Sequence, residues 1–131
     1  SYNIASSISL IIAQRLVRRL CQQCKTPIVL PKHTLLEQGF LDDEMANLIH
    51  YGPSERPCQQ CHQGYQGRLA IFEVMPISEM MARLIMEGRG ALDLAKQAQY
   101  EKIDTLHQSA LNSVRLGLTS LAEINRVIKG V

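Results

Sequence analysis

"RRLCQQCKTP" (residues 18–27) and "RPCQQCHQGYQGR" (residues 56–68) hold all four cysteines of this 131-residue chain, with 33 residues between the two Cys-x-x-Cys pairs. Two residues between thiols let one tight turn aim both sulfurs at a single point. Two such turns brought together make a tetrahedral S4 cage, the geometry of a closed structural zinc site. The gap between the pairs is longer than in a short zinc finger, so a larger excursion is expected, spanning residues 21–64. Two disulfides or four free thiols are the alternatives. A disulfide within Cys-x-x-Cys is strained and redox-active, and it needs an oxidising or catalytic setting. No signal-peptide pattern is visible, and no apolar run approaches the roughly 20 residues of a membrane span. A reducing compartment is the resulting expectation, and it favours Zn2+ on Cys21, Cys24, Cys58 and Cys61. His62 follows directly and, with four thiolates available, reads as a bystander or as a hydrogen-bond donor to a ligand.

Upstream of the first pair, Ile12, Ala13, Leu16, Val17 and Leu20 recur at i, i+1, i+4, i+5 and i+8. That stripe predicts a helix ending near Leu20, starting near Ile4 or capped by Ser6 or Ser7, with Gln14, Arg15, Arg18 and Arg19 opposite. Between the pairs, Pro27 and Pro31 bracket a short extended "IVL". Residues 34–38 predict a helical turn closed by Gly39, and "LDDEMANLIH" a second short helix capped by Asp42 or Asp43. These two pieces carry too little apolar surface to fold alone, so metal binding is expected to stabilise the excursion.

Downstream, Gly64 and Gly67 flank a tight turn, and "RLAIFEVM" (68–75) predicts a strand. It has no evident partner in the chain beyond "IVL", and a lone strand is unstable, so its sheet is expected outside these residues. Ser78, Asp104 and a Ser120/Glu123 capping box predict helices over "SEMMARLIMEG", "TLHQSALNSVRLG" and "LAEINRVIKG", with "ALDLAKQAQY" as a further helix between the first two. Four helices from Ser78 to Lys129 then form a compact lobe. Met-rich residues 75–86 read as core filling in preference to an adaptable contact surface. The expected fold is mainly α with a short β segment. Its parts are an N-terminal helix (1–20), a tetracysteine subdomain (21–64), a strand segment (65–77) and a helical lobe (78–131).

Apolar residues make up 46% of the chain, enough for a core, whereas 5% aromatics without tryptophan suit helical packing over a large β-sandwich. A net charge of +2 excludes a strongly basic nucleic-acid binder. The clustered Arg15, Arg18, Arg19 and Lys25 read as a solvated face or as a contact for phosphate or an acidic partner. Phosphate-loop, dinucleotide, zinc-protease and nucleophile-elbow motifs are missing. His33, His50, His62 and His107 are scattered and read as surface or structural residues. An S4 site has no open position for activating water, so no catalytic residue is assigned.

"IIAQRLVRRLCQQCK", "CQQC", "GYQGRLAIFEVM" and "TSLAEINRV", in this order, resemble the C-terminal end of the type II secretion and type IV pilus assembly ATPases. The resemblance covers nearly the whole chain, and the tetracysteine insertion sets it apart from pilus retraction ATPases. It implies a fragment of a RecA-like ATPase beginning downstream of the phosphate loop, inactive alone, with residues 1–20 and the strand at 68–75 belonging to the core. The parent would be a cytoplasmic homohexamer beneath the inner membrane, using ATP and Mg2+ and working through a membrane platform protein, with no nucleic acid and no transmembrane segment expected. The resemblance places the four cysteines as zinc ligands and Arg68 near the nucleotide; Arg15, Arg18 and Arg19 receive no role from it. The alternative is a free-standing zinc module that binds nucleic acid or a protein partner through the Arg15–Arg19 face.

Overall fold

The computed structural model describes residues 9–128. The predicted start of the first helix at Ile4, its Ser6 or Ser7 cap and the predicted end of the last at Lys129 lie outside them. Strand β1 (Ser9–Leu20) pairs antiparallel with β4 (Tyr65–Pro76), forming a ribbon of two 12-residue strands. The predicted N-terminal helix is therefore a strand, and the strand predicted to be an orphan finds its partner in it. The physical reason lies in the stripe itself. Ile11, Ile12 and Val17 are β-branched, and an apolar set that fits one helix face is equally usable on a twisted, half-buried ladder. Register shifts between Ile11 and Ala13 and between Arg18 and Leu20 rotate the strand. Val17 and Leu20 become fully buried, while Ile12 and Leu16, predicted inside, lie about half exposed.

Between the ribbon strands, β2 (Thr26–Ile28) pairs with β3 (His50–Gly52), enclosing α1 (Lys32–Gln38) and a 3-10 turn (Asp42–Glu44). Gly39 ends α1 with φ +116°, the left-handed closure its position predicted. "LDDEMANLIH" yields only the 3-10 turn, because the chain then straightens into β3. After β4 come α2 (Glu79–Met86), α3 (Ala91–Tyr100), α4 (Leu106–Arg115) and α5 (Leu121–Val127). Ser78 caps α2 through Met81 N at 3.0 Å, as expected. The cap of α4 is Thr105, not Asp104: its hydroxyl accepts from Gln108 N, and Gln108 Oε1 accepts from Thr105 N. Five helices and two small sheets make "mainly α" too loose a description, since each ribbon strand is longer than any helix.

The four C-terminal helices do not close on themselves. Helices α2 and α3 pack on each other, whereas α4 lies against β4 and α5 against β1. One apolar cluster joins Val17 and Ile71 of the ribbon, Leu35 and Phe40 of the excursion, and Leu111, Val114 and Ile124 of α4 and α5. The excursion is tied down by polar contacts too. Arg115 donates to both Glu44 carboxylate oxygens at 2.7 and 3.0 Å, and His107 Nε2 donates to Gln38 O at 2.5 Å. Residues 32–44 are thus held by the α4 core independently of the cysteines. No helix among the described residues is long and apolar enough to cross a membrane.

Candidate metal centre

The turn after β1 carries Cys21 and Cys24, and the loop before β4 carries Cys58 and Cys61. Pairing β1 with β4 brings these two ends together. The four Sγ atoms lie within 4.8 Å of one another, and no other such group of His, Cys, Asp or Glu occurs among the described residues. Cys21 Sγ lies 3.7 Å from Cys58 Sγ, Cys24 Sγ 3.7 Å from Cys61 Sγ, and Cys58 Sγ 3.6 Å from Cys61 Sγ. A disulfide would need about 2.05 Å. A tetrahedron with metal–sulfur bonds of 2.3 Å has edges of about 3.8 Å. The separations fit the second geometry and exclude the first. His62 is exposed and outside the group, and its backbone bridges Tyr65.

Electrostatics point to a cation. The backbone amide of Gln23 is the main influence lowering the Cys21 thiol to about 7, against burial. The Cys58 backbone amide favours the Cys24 thiolate, but burial and the neighbouring Cys61, Cys21 and Cys58 thiols outweigh it and push Cys24 up to about 12. Held that high, the Cys24 thiol does not ionise unaided near neutral pH. A dication at the centre of the four thiols removes the obstacle, because a coordinating thiol is deprotonated outright.

A buried polar network beneath the first cysteine turn escaped the sequence reading. Glu123, 1% exposed, accepts from Arg18 N at 2.8 Å and from both the Arg18 and Arg126 guanidinium groups at 2.8–3.1 Å. Its predicted capping box is only half formed: Ser120 Oγ accepts from Glu123 N, but the carboxylate reaches across to β1. Arg18 also lies 4.2 Å over the Tyr65 ring, and the Tyr65 hydroxyl hydrogen-bonds Ser120 Oγ at 2.7 Å. The only sequence-level hint was an acidic residue in α5 and a surplus of arginines in β1. Of that run, Arg18 is engaged inside the fold, while Arg15 and Arg19 stay exposed. Arg68 is exposed and stands opposite Arg18 in the ladder, and its side chain makes no hydrogen bond or ion pair among the described residues.

Glu123, His50 and Glu44, the last held below the usual carboxylate range by the Arg115 guanidinium, make acid destabilising. Burial opposes ionisation of Glu123, but hydrogen bonds from Arg126 and Arg18 prevail and hold it at about 2. Its contribution is complete above the ordinary carboxylate range and is lost as pH falls toward 2. His50, 3% exposed with neither ring nitrogen partnered among the described residues, has its pKa lowered by burial. The unfolded chain binds that proton more readily, so this contribution is complete above about pH 6.5 and declines below it. The melting temperature is expected to fall from pH 7 to 5, and His50→Leu is expected to flatten that slope while leaving the fall below pH 4. Calorimetry over a pH series checks both.

Residues 1–126 match the family model described as "Type II/IV secretion system protein". The chain is 46% identical over 127 residues to the type IV pilus assembly ATPase PilB of Acinetobacter baylyi, covering 97% of this chain and 22% of that protein. It is 41% identical to the PilB of Pseudomonas aeruginosa (98% and 22% covered) and 36% identical to the type II secretion system ATPase E of Vibrio cholerae (96% and 24% covered). The chain therefore spans about a fifth to a quarter of the length of these relatives.

Proposed function

The chain belongs to the type II/IV secretion system protein family, and from that premise we propose that it is the metal-binding and helical C-terminal portion of an ATPase powering type IV pilus assembly or type II protein secretion. The sulfur geometry carries this reading: four Sγ atoms at tetrahedral-edge separations, in a chain whose relatives are named as such ATPases. Zn2+ is the metal that an all-thiolate tetrahedral set selects in a reducing compartment. Bound there, it supplies structure and no Lewis-acid step, because four sulfurs leave no open position. What the chain's own residues do is mechanical: the cysteines tie the end of β1 to the start of β4 at one end of the ribbon, and the Arg18–Glu123 contacts lock α5 onto it.

The rest of the proposal concerns the parent protein. It is a RecA-like ATPase using ATP and Mg2+, active as a homohexamer in the cytoplasm beneath the inner membrane and acting through a membrane platform protein. The exposed apolar residues Leu10, Ile11 and Ile12 support packing of the ribbon on further protein, as a core sheet would provide. The higher identity to the Acinetobacter baylyi and Pseudomonas aeruginosa pilus ATPases than to the Vibrio cholerae secretion ATPase leans the reading to pilus assembly. Nucleic-acid binding through the Arg15–Arg19 face has less support, since Arg18 is committed to Glu123 and Tyr65.

Arg68 is proposed to lie near the nucleotide. Its exposure opposite Arg18, a like-charge juxtaposition with no internal gain, supports a role toward an anion. In the full-length protein, Arg68→Ala is expected to lower ATP turnover on the order of tenfold, the effect of losing one charge-assisted hydrogen bond, with the melting temperature unchanged. The isolated chain is expected to hydrolyse no ATP. Full turnover by the full-length variant removes Arg68 from this role, and turnover by the isolated chain defeats its assignment as an inactive portion.

A further inference from the structure

The two cysteine turns are anchored unequally. Turn 21–24 is held from several sides: Leu20 N donates to Leu118 O at 2.8 Å, and Cys21 N to Gly64 O at 2.9 Å. Gln22 Nε2 donates to Leu20 O and Gly117 O at 3.0 and 3.1 Å, and Lys25 Nζ to Gln22 Oε1 and Gly117 O at 2.8 and 3.1 Å. Lys25 also sits 4.4 Å over the Tyr51 ring, and Cys21 is fully buried. Residues 53–60 contrast sharply. Among the described residues, their only hydrogen bonds apart from the sulfur contacts are local ones between Ser54 and Arg56. Residues 55–57, 59 and 60 are exposed. Both ends of this segment are nevertheless fixed, by β3 before it and by the His62–Tyr65 bridge after it.

We propose that turn 21–24 is a preformed two-sulfur acceptor that takes the metal first, and that residues 53–61 are a strap closed last, when Cys58 and Cys61 are drawn onto that metal. This rests on the metal reading given above. A turn already fixed by its neighbours loses little conformational freedom on binding, whereas closing the strap must order a loop that is held only at its ends. Capture therefore precedes closure, and release begins with the strap. Gln22 and Lys25 are positioning residues in this scheme: neither hydrogen-bonds a sulfur, and both act by holding the turn that carries Cys21 and Cys24.

Hydrogen exchange and thiol alkylation of the full-length protein, zinc-loaded and then stripped by a chelator under reducing conditions, test the order. Stripping is expected to reduce amide protection by about tenfold or more in residues 53–61. Residues 20–25 and 116–119 are expected to stay within about twofold, with Cys58 and Cys61 alkylated before Cys21. From zinc-loaded protein, Gln22→Ala and Lys25→Ala are expected to speed zinc transfer to the chelator by about tenfold, the usual effect of losing a ligand's outer support. Lys25→Arg, which keeps a cation and a donor at that place, is expected to restore slow release. Equal loosening of both turns, or unchanged zinc release from the alanine variants, overturns the proposal while leaving the metal reading intact. A protein that takes up no zinc overturns both.

Discussion

Replacing Glu123 by alanine is expected to destabilise the protein by about 3 kcal/mol, the lower end of what breaking a buried ion pair costs. The carboxylate is wholly buried and receives the Arg18 backbone amide together with both guanidinium groups. Its loss strands that amide and removes the one anion between two cations. The cost stays at the low end because the Arg18 and Arg126 side chains are 39% and 58% exposed and can turn to water. Glu123→Gln preserves shape but sets an amide against the arginines, so an intermediate loss is expected. The affected contacts join β1 to α5, so exchange protection should fall in residues 16–20 and 119–127 together. Denaturant unfolding of the full-length variants gives the magnitude; a change under 1 kcal/mol would show that the network contributes little.

The second large effect follows from the metal. Cys58→Ser is expected to abolish stoichiometric zinc binding, since three sulfurs and a hydroxyl no longer form the closed thiolate set. Structural zinc contributes apparent free energies of roughly 10 kcal/mol in isolated fingers. Here only part of that supports folding, because Leu35 and Phe40 sit in the common core and Arg115 pins Glu44. Disorder is therefore expected to concentrate in residues 53–63, while α1 and the α4–α5 core keep most of their protection. Amide exchange on the serine variant checks this. Collapse of α1 along with the strap would mean that the metal, rather than the core, holds the whole excursion.

The cysteine spacing was legible because it is local chemistry: each turn's geometry follows from two intervening residues, and the S4 set needs only that the turns meet. The caps at Ser78 and Ser120 and the left-handed Gly39 were legible for the same reason. What sequence reasoning missed depends on distant partners. Residues 9–20 fit a helical stripe, and only the ladder with β4 decides otherwise, burying Val17 but not Leu16. Glu123 sits where a capping box wants it, yet Arg18, 105 residues away, takes its carboxylate. Gln22 is one of the two residues between the first pair of cysteines, and its contact with Gly117 is visible only once α4 and α5 are docked. Tertiary pairing overrode local preference at each of these positions.

Native mass spectrometry of the purified, reduced full-length protein tests the central claim most directly. One zinc per chain, lost on Cys58→Ser, is the predicted result. A chain that carries no metal, with its cysteines recovered as disulfides, would contradict it.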